Sequence, residues 1–309
     1  MADRTKIRNS NSLQLNRKNM GGDRLFDVIV NTMVLIAAFV TIYPLYFVVL
    51  ASVSDPAALL GGRVFLWPVD PDLTAYQHIF DDKRIWIGYG NTIIYTTFGT
   101  LLGVMITILG AYSLSRKDLV GRNILMKVII FTMYFQGGLV PTYMLVKNLN
   151  LTDTRWVMII LGSFSVFNLI VARTFFMSKI PDELFEAAQI DTCGNGRFFL
   201  RIVLPLSKEI IAVIVLYIAV SQWNSFFNAL IYLGNQSYYP LQLVLREILL
   251  GSQSIMGQDV DAADMIEMQR LAETIKYGVM VVSSLPILIL YPFVQKYFVK
   301  GVMIGSIKG

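Results

Sequence analysis

The residue types that most often do covalent or metal chemistry are nearly missing. His78 is the single histidine and Cys193 the single cysteine in 309 residues. No histidine cluster can share acid–base work or hold a metal, and no disulfide can form within the chain. No Gly-x-x-x-x-Gly-Lys-Ser/Thr segment occurs either, so the chain lacks that cradle for nucleotide phosphates. What remains is hydrogen-bonding chemistry. Ser221, Asn224, Ser225 and Asn228 recur at i, i+3, i+4 and i+7 of an apolar run, beside Gln222 and Trp223, while Gln136, Asn168 and Tyr43 lie in other apolar runs. Amides and hydroxyls interleaved with rings suit a sugar, whose hydroxyls need hydrogen bonds and whose C–H faces stack on aromatics. The same groups serve equally well as hydrogen bonds between neighbouring helices, and the sequence leaves both readings open.

Those residues sit in a chain built for lipid. Of its residues 55% are hydrophobic and 15% charged, against about 25% charged in soluble domains, and the mean hydropathy is +0.58. The composition predicts an all-α, polytopic membrane protein with six transmembrane helices. The runs Phe26–Val53, Tyr89–Leu114, Ile124–Val146, Arg155–Phe176, Ile210–Leu233 and Ile275–Val294 are candidates for the ~20-residue apolar length that a spanning helix needs. Pro44 is expected to kink the first, and Gln136-Gly137-Gly138 with Pro141 to break the outer half of the third. Gly99 and Gly103 form a small-xxx-small pair that lets helices approach closely. The chain divides into a tail (1–25), a first span with a polar external loop (26–88), a multi-span body (89–298) and a second tail (299–309). The first tail has no apolar core of its own and does not read as a cleavable signal peptide.

With the N-terminus inside, 18 of the 26 lysines and arginines fall on inner segments and 8 on outer ones. The positive-inside rule then places both termini in the cytoplasm. It also explains the net charge of +5 without a nucleic-acid partner.

Between the fourth and fifth runs lies a polar passage from Lys179 to Pro205. Pro181, Asp182 and Glu183 are helix-start residues. Leu184, Ala187 and Ala188 are expected on one face, with Glu186 and Gln189 elsewhere. Gly194 and Gly196 are expected to end the helix, since glycine accepts the left-handed conformation a helix stop often needs. The outcome is a short amphipathic helix outside the lipid whose alanines let another backbone come close. A plain amphipathic connector would explain the apolar stripe too.

This passage resembles the EAA loop of binding-protein-dependent, type I ABC importer permeases. In that loop Glu-Ala-Ala is followed by a glycine and then by Ile-x-Leu-Pro at fixed spacings. Glu186, Ala187, Ala188, Ile202, Leu204 and Pro205 stand at the matching places, and the flanking Ile180-Pro181-Asp182-Glu183-Leu184 and Ile190-Asp191 are those of the carbohydrate branch. Thr192 stands where the family has glycine, with Gly194 two residues later. The resemblance covers Tyr89 to Gly309, and it begins with Gly88-Tyr89-Gly90-Asn91-Thr92, a start shared with many permeases of the family.

The resemblance implies that Glu186, Ala187, Ala188, Asp191, Thr192 and Gly194 form a cytoplasmic coupling helix between spans four and five, gripped by an ATPase. The end of the chain, Gln295 to Gly309, is similar to that of maltose-type permeases, which implies ATPase contact by Gly301, Gly305 and Lys308. A snorkelling basic helix end is the alternative. The implied partners are a second permease, two ATPase copies that carry ATP and Mg, and an extracytoplasmic solute-binding protein. The loop Asn235–Leu271, with Tyr238, Tyr239, Pro240, Asp259, Asp261, Asp264 and Glu267, is where that binding protein is expected to dock. This chain would then bind no cofactor, catalyse nothing, and lie in the cell membrane of a prokaryote. Ser221, Trp223, Asn224, Asn228 and Gln136 are the candidate substrate pathway. Two runs, Gly138 to Trp156 and Trp223 to Leu249, look like the branch that handles complex oligosaccharides, including uronate-bearing ones. A channel or scaffold without ATPase coupling, and a membrane enzyme using scattered carboxylates, are the competing classes.

Overall fold

A computed structural model describes residues 20–254 and 272–289, and all regular structure among them is helical. In chain order the α-helices are α1 (Met20–Ser52), α2 (Pro56–Leu60), α3 (Thr74–Asp81), α4 (Lys83–Ser115), α5 (Arg122–Tyr134), α6 (Leu139–Asn148), α7 (Arg155–Leu161) and α8 (Val166–Lys179). They continue as α9 (Asp182–Ile190), α10 (Asn195–Leu206), α11 (Lys208–Trp223), α12 (Phe227–Tyr232), α13 (Leu241–Ser254) and α14 (Ala272–Ile289). Among the described residues three helices, α1, α4 and α14, are long and apolar enough to cross a membrane, or up to six spans result if each bent pair counts as one. Those pairs bend by 112° between α5 and α6, 46° between α7 and α8, and 80° between α10 and α11. Gly301, Gly305 and Lys308, and the acidic group Asp259, Asp261, Asp264 and Glu267, lie outside the described residues.

The post of the assembly is α4. Its start is fixed by Asp82, whose carboxylate accepts the Arg84 backbone N–H at 2.9 Å and pairs with the Arg84 guanidinium at 2.7 Å. That partner holds the Asp82 carboxyl below its ordinary range. From there α4 packs against α11, α8, α13 and α7. One apolar cluster joins Ile108, Ala111 and Leu114 of α4 to Leu169, Ala172 and Phe176 of α8 and Ile210, Ile214 and Ile218 of α11. A second joins Tyr95 to Val157, Met158 and Ile159 of α7 and Ala229 and Tyr232 of α12. The small-xxx-small pair works as the sequence predicts. A Cβ on Gly99 would overlap the Gln222 amide, and one on Gly103 would overlap the Ser163 carbonyl.

Other expectations are revised. α1 begins at Met20, six residues earlier than the sequence run, and stays helical through Pro44 to Ser52. The fourth run is not one helix. It breaks between Leu161 and Val166, where Ser163 N–H reaches back only to Ile160 and leaves the Ile159 carbonyl without its helical donor. The fifth run also breaks. α11 stops at Trp223, the Asn224 amide turns back onto the Val220 carbonyl at 2.8 Å, and α12 starts at Phe227. An asparagine competing for backbone groups is the physical reason. The four polar residues at helical spacing therefore do not share one helix face. The expected external loop is also largely helical near its start, because Leu241, Leu243, Val244 and Leu245 of α13 are buried against the body.

At Gly103 the facing atom is a backbone carbonyl that cannot swing away, so Gly103→Ala is expected to destabilise by about 1–3 kcal/mol through overpacking. Gly90, with nothing within 4 Å of its would-be Cβ, should accept alanine and gain up to about 1 kcal/mol of helix propensity. Thermal unfolding in detergent should show the first midpoint falling and the second level or higher.

Candidate functional site

Two places gather the residues singled out in the sequence. The first is α9. Pro181 precedes it with extended ψ, and Asp182 and Glu183 occupy its first turn, facing the positive helix end. Its inward face is Phe185 and Ala188, both buried in the cluster shared with α4, α8 and α11. The Phe185 ring meets Phe198 of α10 edge-on at 5.3 Å and carries the Arg116 guanidinium 3.3 Å above its centroid. Lys117 pairs with Asp182 at 2.5 Å, which raises the lysine pKa, and Arg116 pairs with Asp118, which lowers that carboxyl. Arg173 of α8 donates to the Leu114 carbonyl at the end of α4 at 2.9 Å. The expected face is thus rotated: Leu184 and Ala187 point outward with Glu186 and Gln189, while Phe185 takes the inward place. Ile190 is 84% exposed, an apolar knob with nothing over it among the described residues.

The stop of α9 differs from the expected glycine turn. Thr192 N–H bonds to Gln189 O at 2.9 Å and Cys193 N–H to Ala188 O at 2.8 Å. These are the two bonds of a Schellman motif, which needs a left-handed residue at the position of Thr192. Thr192 supplies it with φ +54°, whereas Gly194 is extended at φ −66° and Gly196 lies inside α10. The left-handed residue falls where the resemblance places a glycine, and a β-branched side chain is strained there. After Gly194 the chain forms α10, whose Phe199–Val203 turn is π-type, and reaches Pro205 and the 80° corner into α11. A π turn suits a segment just before a residue that cannot donate to the ladder.

The second place is a cavity of 540 Å³ lined by Leu45, Val48 and Val49 of α1, Asn224, Gln242 of α13, and Met280, Ser283, Ser284, Ile287 and Leu288 of α14. Of the pathway candidates it takes in Asn224. Ser221 is exposed on α11, Asn228 is half-buried on α12, and Gln136 is exposed in the link between α5 and α6. Trp223 is 5% exposed and donates its indole N–H to the Ser283 carbonyl at 3.1 Å, an interhelical strut. Sequence reasoning missed Gln242, Ser283 and Ser284. The helical spacing of Leu241, Val244, Leu245 and Ile248 carried the signal for α13.

No family model matches the chain. The chain is 38% identical over 291 residues to the polygalacturonan/rhamnogalacturonan transport system permease protein YtcP of Bacillus subtilis strain 168, covering 93% of this chain and 99% of that protein. It is 38% identical over 294 residues to Protein LplC of the same organism, covering 94% and 97%. A crystal structure of a bacterial ABC transporter involved in import of the acidic polysaccharide alginate contains a chain that superposes with a TM-score of 0.79. That match is at 32% identity, over 93% of this chain and 100% of that one. Fold and site therefore define a polytopic helical membrane subunit of a transporter. More particularly, the chain belongs to the ABC importer permease family, in the branch whose named members are sugar permeases.

Glycine relieves the backbone strain at Thr192, so Thr192→Gly is expected to stabilise the α9 turn by about 1 kcal/mol. Thr192→Val keeps the branched Cβ and should not. Protease cleavage rates in the 190–196 segment of the detergent-solubilised protein should fall for the first substitution only.

Proposed function

We propose that this permease is one of two related subunits that together enclose the pathway of an ATP-driven oligosaccharide importer. The observation that carries the reading is the division of α9. Its inner face is part of the core that holds α4, α8 and α11, and its outer face, with Glu186, Ala187, Gln189 and Ile190, is bare. A helix so arranged passes a push from outside directly into three spans. The partner that pushes is an ATPase on a separate chain, present in two copies and carrying ATP and Mg, since this sequence has no phosphate cradle of the Walker kind. Ala187 lets that partner come close, Glu186 and Asp191 offer it charge, and Ala188 works from the inside. By resemblance, Gly301, Gly305 and Lys308 make a second contact with the ATPase.

Other features support the remaining parts of the assembly. The most apolar stretch of α1 is only 6% buried, against 28% in α4 and 22% in α14, so α1 has room on nearly all sides for a second permease. The cavity at Asn224, Gln242, Ser283 and Ser284 is this chain's side of the pathway, with neutral donors and acceptors suited to sugar hydroxyls. The relatives named for polygalacturonan/rhamnogalacturonan and arabinooligosaccharide transport support a carbohydrate cargo. Arg116, Lys117 and Arg122 at the α9 end support a cytoplasmic position for it, with both termini on that side of a prokaryotic cell membrane. A solute-binding protein then docks at the opposite end, near Tyr238 and Tyr239. The channel or scaffold reading has no support among the relatives.

The composition of the complex that copurifies with the tagged chain in mild detergent from its native host tests this reading. A nucleotide-binding ATPase and a second permease are expected; a chain that is folded but alone overturns it. Glu186→Arg should insert normally, lower uptake by about tenfold or more, and leave ATP hydrolysis uncoupled from binding protein. Wild-type uptake by that variant removes α9 from the coupling role.

A further inference from the structure

Every polar group lining the 540 Å³ cavity is neutral: Asn224, Gln242, Ser283 and Ser284. One cation follows on α13, outside the lining. Arg246 is one helical turn after Gln242, so the two side chains leave the same face of α13. Its guanidinium lies 5.4 Å from the ring centroid of Phe226, two residues after Asn224 in the break between α11 and α12. Arg246 therefore spans the two arms, α13 and the break, that bring Gln242 and Asn224 to the cavity. Among the described residues no carboxylate is within ion-pair distance of it. A guanidinium laid on a ring is held in one orientation while its N–H edges stay free, and those edges match a carboxylate in two parallel hydrogen bonds.

We propose that Arg246 reads the carboxylate of a uronate-bearing oligosaccharide at the edge of this cavity, so that the cargo of the transporter is an acidic sugar. The proposal rests on the importer reading above and narrows its substrate. The neutral groups of the cavity take hydroxyls, and Arg246 takes the charge. A neutral oligosaccharide would leave the guanidinium without its partner, which disfavours such a cargo.

The test uses the whole transporter copurified with the tagged chain from its native host, reconstituted in proteoliposomes with its binding protein. Uptake of labelled trigalacturonic or trimannuronic acid is measured for wild type, Arg246→Lys, Arg246→Gln and Arg246→Met. Wild type should carry at least one acid. Gln and Met should lose about tenfold or more, the loss expected for a charge-assisted hydrogen-bonded pair. Lys should lose less. Wild-type uptake by Arg246→Met overturns the assignment. Competition in wild-type vesicles gives an answer that does not depend on any variant folding: the unlabelled acid should compete, and its carboxyl-reduced trisaccharide should not. Equal competition, or ATP-driven uptake of neutral trisaccharide alone, overturns the acidic cargo while leaving the importer reading in place. Failure of any ATPase to copurify instead removes the importer reading itself.

Discussion

Backbone polar groups have no water to turn to inside a bilayer, and each one left without a partner costs several kcal/mol. This permease breaks its helices repeatedly, and side chains from other elements take up the freed groups. Gln222 donates to the Ile159 carbonyl, the group released by the break after α7. Asp153 accepts the N–H groups of Gly234 and Asn235 just past α12, at 3.1 and 2.8 Å. Asn91 donates to the carbonyls of Ser237 and Tyr239, Tyr95 donates to that of Tyr238, and Thr92 accepts from Leu241 N–H. The Gly-Tyr-Gly-Asn-Thr start of the second span thus has a physical purpose: it fastens the segment that leads into α13. The breaks are stable because α4 supplies much of what they lack.

Close approach is the second half of the same constraint. Gln222 is 2% exposed and lies between Gly99 and Gly162, with its Oε1 only 2.6 Å from where a Gly162 Cβ would stand. Any side chain at either glycine would drive the amide off the Ile159 carbonyl. Gly99 on α4, Gly162 in the α7–α8 break and one long amide form a unit that holds α4, the broken α7–α8 pair and α11 at fixed distances. Small residues at such interfaces are how helices associate where lipid removes the hydrophobic drive.

Much of this was legible in the sequence and some was not, for identifiable reasons. Hydropathy reported the apolar runs, and the glycine spacing in the second run reported its close contacts. The sharp bend after Tyr134 was announced by Gln136-Gly137-Gly138, where Gly138 takes φ +84°. The break at Gly162 was hidden because a mostly apolar run reads the same whether or not its ladder is continuous, and the break at Asn224 because Ser221, Asn224, Ser225 and Asn228 keep helical spacing across it. The turn after α9 misled in another way. Two nearby glycines drew the left-handed expectation, while the hydrogen-bond pattern assigns that conformation to Thr192 by its distance from the helix end. The inward face of α9 differs from the alanine stripe because Phe185 has the larger apolar side chain to bury and takes the core place beside Ala188. Of the site, Asn224 was visible as a polar residue in an apolar run, whereas Gln242, Ser283 and Ser284 came together only once α13 and α14 were placed.

The two sites stand at opposite ends of one unbroken helix. α4 has 33 residues, about 50 Å at 1.5 Å per residue. At one end its last turn is bonded to Arg173 of α8, and the next residue, Arg116, covers Phe185 of α9. At the other, Asn91, Thr92 and Tyr95 hold residues 237–241, and Tyr89 donates to the Val282 carbonyl of α14 at 2.6 Å. A helix with a closed ladder is far stiffer along its axis than the broken spans around it are at their corners. A displacement applied to α9 is therefore taken up at the corners after Leu161, Leu206 and Trp223 rather than within α4. The corner after Trp223 carries Asn224 and Phe226, so under the coupling role proposed for α9 a motion imposed at that end would change the cavity where Asn224 enters it. Under the coupling role proposed for α9, bends in some spans and an intact rod in another are one design: the rod would transmit, and the breaks would decide where the motion appears.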